Sequence, residues 1–413
     1  MEESNQEELR IDEKSFDLVP SNIFNIHREI LEGICDRLSI SDQLQFARVC
    51  KSCHSLVFER HNPKARETLS LVGLTEDPHF CGKRIQKQIT CYQIHPKSFQ
   101  HSNPCIIGSF KGWLFLQYHK EKFIQLVNLF SKIHLDLPPL DAMKFIPSDG
   151  HMKFIPSDVR MKLIYGPTMF VRAFAVLFCI RMRPVLTAIV SNSWKLLLCK
   201  IGGSAWEAHE TDEQYVNVAF YKKKLYAMRK NYNKVDIFEI DHDLKRIPVG
   251  GIEIDDALKL FPLAITGSSQ LINAPSSWGR PFQAYLVVDS QEDNLFLVMH
   301  HRKEVKVQFL TVEFEIYKVY GNRLVKVDTL GDQIVLLNAS CSEMIDVKDC
   351  PPSFYFHGNQ ICFKKSSKNL GIYSFKDGIV NWLPQFRGFD CIHWMIPRLA
   401  GKCSCESHIM PYP

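Results

Sequence analysis

No run of apolar residues in this chain is long enough to cross a membrane. The longest lies near Phe170 to Ile180 and is broken by Arg172, where a spanning helix needs about 20 residues. The first residues hold no apolar core of the kind a secretory signal uses. Nor are they the Arg-rich, acid-poor leader of an organelle transit peptide. Fourteen cysteines are present, but their spacing outlines no disulfide framework, and in a large chain without an export signal reduced thiols are the default. Asn338-Ala339-Ser340 is therefore a glycosylation sequon in name only. Net charge is only +5 over 413 residues, too little for a dedicated nucleic-acid surface. These absences predict a protein of the nucleus and/or cytoplasm, with no membrane or nucleic-acid partner.

Catalytic signatures are missing as well. There is no Gly-x-Ser-x-Gly elbow, no phosphate-cradling Gly-rich loop and no dinucleotide fingerprint. His209-Glu-Thr-Asp-Glu213 lacks the second histidine of a zinc protease. Cys50-Lys-Ser-Cys53-His54 has the spacing of a covalent haem site, but haem attachment needs an exporting compartment. Cys403, Cys405 and His408 offer three soft ligands where structural zinc takes four, with Cys391 or His393 as conceivable fourths. A loose polar tail is the simpler account. His300-His301 reads as an exposed strand end and Lys222-Lys-Lys224 as a solvated turn. The sequence thus predicts no cofactor, no metal and no catalytic residue.

What is present is uneven. Residues 1–15 carry six acids and two bases, so 1–18 reads as a disordered acidic leader. Residues 19–61 hold the only confident helical pattern. Leu31, Ile34, Cys35 and Leu38 fall on one helical face. Ser39 and Ser41 can cap a second helix carrying Leu44, Phe46, Ala47, Val49 and Cys50, and a third runs from about Cys53 to Arg60. Three short helices cannot hide that many apolar positions, so a face is left for a partner.

This stretch resembles the F-box. Glu29, Ile30, Leu31 and Ile34 match its first block, Leu38, Asp42 and Leu44 its middle, and Val49, Cys50, Lys51 and Ser52 its end. Ile26-His27 stands where Leu-Pro is usual and Cys53 where Trp is usual. The resemblance implies docking to a Skp-type adaptor and, through it, a cullin ubiquitin ligase. The adaptor contacts it implies are Ile30, Leu31, Ile34, Leu38, Leu44, Val49 and Cys50. Some of these must instead pack the helices together, and the sequence does not separate the two sets.

Residues 62–104 read as a polar link with first short strands. From 105 to 390 the texture is antiparallel β: aromatic and β-branched runs bounded by Gly and charge. Strands are predicted at 171–180, 185–190, 194–200, 216–221, 224–229, 235–240, 285–289, 295–300, 311–320, 324–330, 334–337, 354–357, 360–363, 370–375 and 379–383. So many strands must manage their edges, and a propeller fits the length best. Gly202-Gly203 and Gly250-Gly251, 48 residues apart, hint at a kelch-like repeat. MKFIPSDGH at 143–151, followed at once by MKFIPSDV, reads as a slippage duplication in a surface loop. The six tryptophans (Trp113, Trp194, Trp206, Trp278, Trp382, Trp394) read as core or blade-edge packing. Residues 391–413 read as a tail.

The β region is similar to the KIB-type β-propeller, a plant domain that follows F-boxes. The matching blocks are Gly108-Ser109, Gly112-Trp113-Leu114, Leu126 to Ser131 and Leu137-Pro138-Pro139-Leu140. Val216 to Tyr226, Phe314 to Lys318, Thr329 to Asp332 and Gly371 to Gly378 follow. The predicted fold class is therefore α+β multidomain: a small three-helix F-box, then a large all-β propeller-like domain. The implied role is the substrate-recognition subunit of a Skp–cullin–F-box ubiquitin ligase that binds an unidentified target protein. The alternatives are a binding scaffold with a degenerate F-box, and a propeller enzyme.

Overall fold

The structure is a computed structural model. It describes residues 26–58 and 69–395, apart from single residues and short stretches and the segments 76–81, 97–103, 147–170, 178–184 and 256–281. The predicted leader, the Cys403/Cys405/His408 group and Trp278 lie outside the described residues. Three helices open the chain, α1 (Arg28–Cys35), α2 (Ile40–Ala47) and α3 (Lys51–Phe58). Cys50 precedes α3 rather than closing α2, and the third helix begins at Lys51, ahead of the predicted Cys53.

The strands follow in six groups. The first has β1 (Ser70–Leu74), β2 (Gly82–Gln86) and β3 (Ile89–Ile94). The second has β4 (Pro104–Phe110), β5 (Trp113–Tyr118), β6 (Phe123–Asn128) and β7 (His134–Asp136). The third has β8 (Met143–Ile146), β9 (Val171–Leu177), β10 (Val185–Val190), β11 (Leu196–Lys200) and β12 (Trp206–His209). The fourth has β13 (Tyr215–Tyr221), β14 (Lys224–Arg229), β15 (Lys234–Ile240) and β16 (Arg246–Glu253). The fifth has β17 (Phe282–Asp289), β18 (Leu295–Val305), β19 (Gln308–Tyr320) and β20 (Arg323–Val327). The sixth has β21 (Gln333–Leu337), β22 (Ser342–Asp346), β23 (Gln360–Lys364), β24 (Leu370–Ser374) and β25 (Ile379–Trp382). The last strand, β26 (Cys391–Met395), returns to the first group and pairs antiparallel with β1. The sequence reading placed 391–395 in a tail; these residues instead complete a four-stranded sheet.

Each group packs on the next through its own apolar layer. Leu114 and Leu116 meet Val72 and Met395 between the first and second groups. Phe115 stacks on Phe174 at 3.5 Å between the second and third. Leu196 and Leu198 meet Val218 and Leu225, and Met228 meets Leu297 and Met299. Val298 and Phe314 meet Val335 and Phe363. Leu336 and Ile372 then meet Leu71 and Trp394, which closes the circuit. Numbered as blades one to six, these groups form five sheets among the described residues, because β17 pairs parallel with β22 and joins the fifth and sixth groups into one nine-stranded sheet. Strands buried on both faces explain the continuous apolar runs such as Trp113–Tyr118, where every residue is buried. Side chains also stitch the inner strands together. Asn217 on β13 accepts a hydrogen bond from the Leu286 amide on β17 at 2.9 Å, and Ser109 on β4 donates to the Trp394 carbonyl on β26.

The β21–β22 loop reaches from the sixth blade to the second and third. Ser340 Oγ donates to the Ile107 carbonyl at 2.8 Å, and the Phe174 amide donates to the Ser340 carbonyl at 2.8 Å. Gly108 makes room: an added Cβ would collide with the Ser340 side chain. Asn338 is 4 % exposed, so the sequon is closed off within this loop.

Other expectations are corrected. Gly202-Gly203 turns the chain between β11 and β12, with Gly202 at φ +73, whereas Gly250-Gly251 lies within β16 beside a register shift. The two pairs occupy different blade positions, so the kelch-like spacing is no repeat. Tyr355–His357 is not a strand; Phe356 is buried and packs near Trp394. Met143–Ile146 of the tandem copy is no loop but a strand that pairs parallel with β12. The described cysteines are free thiols, all buried except Cys105.

Candidate adaptor face and its seat on the propeller

Helix α1 carries two apolar rails. Leu31 and Cys35, four residues apart, turn inward and are 5 % and 1 % exposed. Ile30 and Ile34, also four apart, turn outward at 58 % and 39 %, and Ile26, two residues ahead of the helix, is 37 % exposed. Residues four apart share a helix face, so the two rails are neighbours with opposite fates. Leu31 packs with Cys50, Cys53 and Leu56, while Cys35 packs with Ala47 and Val57. The fully buried Gln43 amide donates to the Cys35 carbonyl at 2.8 Å and satisfies an end of α1 that would otherwise lack a partner. Arg28 pairs with Glu32 at 3.0 Å along the exposed side.

The seven residues implied by the F-box resemblance therefore divide. Ile30 and Ile34 face solvent; Leu31 and Cys50 are internal packing; Leu38 and Val49 are half-buried. Leu44 lies in α2, with its side chain outside the described set. Cys53, which replaces the usual Trp, is fully buried, so that departure falls inside the module. Cys50 and Cys53 Sγ atoms lie 3.3 Å apart, and burial pushes the Cys53 thiol up to about 12. Two residues that the sequence did not single out as contacts join the picture. Ile26, just ahead of α1, is a further exposed aliphatic side chain. Phe130, in the β6–β7 turn, packs against the Cys35/Ala47/Val57 cluster of the helices and also against the layer between blades one and two. Its ring meets Tyr92 edge-on at 5.2 Å, and its amide is held by Asn128 Oδ1 at 3.1 Å.

Several polar groups of the propeller pair with one another inside it. His300 and His301 are buried within β18, not exposed at its end. His300 stacks on Phe314 at 4.2 Å and lies 3.0 Å from Thr311 Oγ1. Burial, then the charges of Arg302 and His301, push its pKa down to about 3. His301 Nε2 meets Glu315 at 3.0 Å, and Lys326 takes the carboxylate's other oxygen at 2.6 Å. Those two hydrogen bonds, His301's foremost, hold Glu315 down at about 2 against burial. In blade four Arg229 grips both oxygens of Asp236 at 2.8 and 3.0 Å, and Tyr215 donates to the same carboxylate at 3.1 Å. Lys222 and Lys223, at φ 47 and 63, make the tight β13–β14 turn. Trp113, Trp206 and Trp394 are core, Trp194 is half-buried, and Trp382 is exposed on the edge strand β25. Among the described residues, no three His, Cys, Asp or Glu side chains are grouped to hold a metal. No described helix is long and apolar enough to cross a membrane.

Comparison with protein families matches residues 84–374 to the KIB1-4 beta-propeller and residues 23–63 to the F-box domain. The chain belongs to the KIB1-4 beta-propeller family. The family match stops short of β1 and β26, the first and last described strands, which pair with each other. A comparison with curated proteins gives no match. Similar solved structures include a putative 6-phosphogluconolactonase from Bacteroides uniformis, at 12% identity over 71% of this chain and 74% of that one, TM-score 0.32. Another is the arabinanase Arb43A of Bacillus subtilis, at 12% identity over 68% of this chain and 92% of that one, TM-score 0.30.

Proposed function

We propose that this KIB1-4 propeller protein is the substrate-receptor subunit of a Skp–cullin–F-box ubiquitin ligase, working in the nucleus and/or cytoplasm. The observation that carries the reading is the outward rail of Ile30 and Ile34, left exposed on α1 while Leu31 and Cys35 fill the interior. A short three-helix module that leaves large aliphatic side chains in water has an apolar strip that a partner can cover. A Skp-type adaptor is the partner an F-box takes. The propeller then holds a target protein, and a cullin-bound conjugating enzyme meets the target's lysines at high effective concentration. This reading assigns no residue of the chain to bond making or breaking.

The degenerate-scaffold alternative drew on Ile26-His27 in place of Leu-Pro and on Cys53 in place of Trp. With Cys53 buried beside Leu31 and Leu56, that change leaves the outward rail untouched and weighs less against docking. The test is co-purification of the full chain with a Skp-type adaptor, compared with Ile30→Asp/Ile34→Asp. The wild type should hold the adaptor and the variant should lose it while melting at the same temperature. Adaptor retained by the variant would move the face elsewhere. Adaptor bound by neither, with folded protein, would leave the scaffold reading.

A further inference from the structure

The sequence offered Cys50-Lys-Ser-Cys53 only as a haem-like spacing; the structure sets it at the start of α3. Cys50 is the residue just ahead of that helix. Its carbonyl accepts the His54 amide at 2.9 Å, the first bond of the helix, and its Sγ accepts the Cys53 amide at 3.4 Å. That is the place and the bond of an N-cap hydroxyl, here taken by sulfur. The same bond turns the Cys50 side chain towards Cys53, and the two Sγ atoms meet at 3.3 Å. We propose that Cys50 and Cys53 are a redox couple, closing to an intramolecular disulfide by exchange with a low-molecular-weight disulfide of the glutathione class. The proposal is independent of the ligase reading.

A disulfide holds its sulfurs at about 2.05 Å, so closure asks each to move by roughly 0.6 Å. Cys-x-x-Cys pairs and helix N-termini are the settings in which protein thiols exchange most readily. The two sulfurs take different parts. Cys50 Sγ already accepts a backbone N–H, as an attacking sulfur anion would, so Cys50 opens the exchange. Burial first, then Cys50, pushes the Cys53 thiol up to about 12, and Cys53 waits protonated for the second step. Cys50 attacks one sulfur of the small disulfide, whose S–S bond breaks; the other half leaves and takes the Cys50 proton. Cys53 then gives up its proton and attacks the Cys50 sulfur, expelling the second small thiolate, which takes that proton. The pair loses two electrons and two protons, and the small disulfide gains both as two thiols.

Packing gates this exchange. Leu31 and Leu56 cluster with both sulfurs, and Cys50 and Cys53 are 3 % and 0 % exposed. The reduced couple is therefore held behind the inner rail of α1 and reacts when that rail lifts in a local opening. Cys35 is the competing thiol. It lies near enough to raise Cys53 further, but it packs with Ala47 and Val57 in the neighbouring cluster.

The test equilibrates full chains carrying Cys105→Ser, which removes an exposed thiol, with mixtures of reduced and oxidised glutathione. The samples are quenched in acid, alkylated and mapped by peptide mass spectrometry. A Cys50–Cys53 link should grow as oxidised glutathione rises and disappear on return to reduced glutathione. Both thiols free in every mixture, or a link from Cys35 in its place, would overturn the proposal. This measurement needs no substitution within the helices, so a variant that fails to fold does not shelter it. Cys53→Ser should hold glutathione at Cys50, and Cys50→Ser should take up several-fold less at Cys53; equal uptake would overturn the assignment of Cys50 as the attacking sulfur. Leu31→Ala should close the link several-fold faster, and an unchanged rate would overturn the gating.

Discussion

A single residue's direction decides its meaning on α1. Leu31 and Ile34 read alike in the sequence, as apolar positions of one helical stripe, yet one is 5 % and the other 39 % exposed. Leu31→Ala should destabilise the helical module by about 2–4 kcal/mol, because it opens a cavity against Cys50, Cys53 and Leu56. Ile34→Ala should stay within about 0.5 kcal/mol. Amide hydrogen exchange across α1–α3 in the full chain reads both, and equal loss of protection would contradict the two-rail division. The buried titrating groups make a second residue-scale prediction. His300 has its pKa lowered from 6.5 to about 3, so the unfolded chain takes up a proton that the folded one refuses. Its contribution is complete above pH 6.5 and declines as pH falls toward 3. His393, lowered to about 3 by burial first and Lys364 second, adds to the same window. Glu315, held at about 2, contributes above its unfolded value near 4.5 and loses that contribution between there and 2. His300→Asn should therefore flatten melting temperature against pH from 6.5 to 4, and Glu315→Gln should flatten it only below 4.5. Thermal melts across pH 2.5–7 separate them; a slope unchanged by either substitution would mean other groups carry the acid limb.

At the scale of elements, the F-box module sits on the ring through a turn rather than through a strand. Phe130 belongs both to the packing of the three helices and to the layer between blades one and two. Phe130→Ala should leave both domains folded and loosen their relation. Spin labels at Arg48 and Lys234 would show this as a distance distribution that widens in the variant and narrows again in Phe130→Leu. An unchanged distribution would mean that other contacts set the domain angle. The elements themselves were legible to different degrees. Hairpins such as β13–β14 and β14–β15 stand out because a blade's inner strands are apolar on both faces and meet at polar turns. β16 escaped because it carries Pro248, Gly250 and Gly251, residues depleted in strands but tolerated on an outer edge, where one side of the backbone makes no ladder. β12 and β22 escaped because Trp-Glu-Ala-His and Ser-Glu-Met-Ile-Asp are short and mixed. β8 escaped because a tandem copy suggests an insertion, and the cue for pairing sits 60 residues away on β12. The outward rail was half legible: its four-residue spacing is in the sequence, but which stripe faces inward depends on how α1 meets α3.

Across the whole molecule, the ring is held shut by its two ends. β26 supplies the inner strand of blade one, pairing with β1 from Ser70 to Leu74, while its Trp394 carbonyl accepts from Ser109 on blade two. Ile392, Trp394 and Met395 are all buried, and they lie in the layers toward both neighbouring blades. No local pattern announces this partnership, because the strands that meet are more than 300 residues apart in sequence. A chain ending after Arg398 keeps β26, whereas one ending after Asp390 loses it. The second truncation uncovers the edge of β1 along its whole length and removes three large apolar side chains from two layers, each substantial on its own. Because those layers are links in a closed circuit, the loss should spread beyond blade one. The chain ending at 398 should melt like the full protein. The chain ending at 390 should melt well below it and gain the aggregation that an open strand edge invites. A synthetic peptide of residues 391–398 added in excess should restore part of the melting temperature by re-forming the β1 pairing. If the shorter chain melts unchanged, the ring is closed by side-chain packing among the remaining blades, and β26 is dispensable to it.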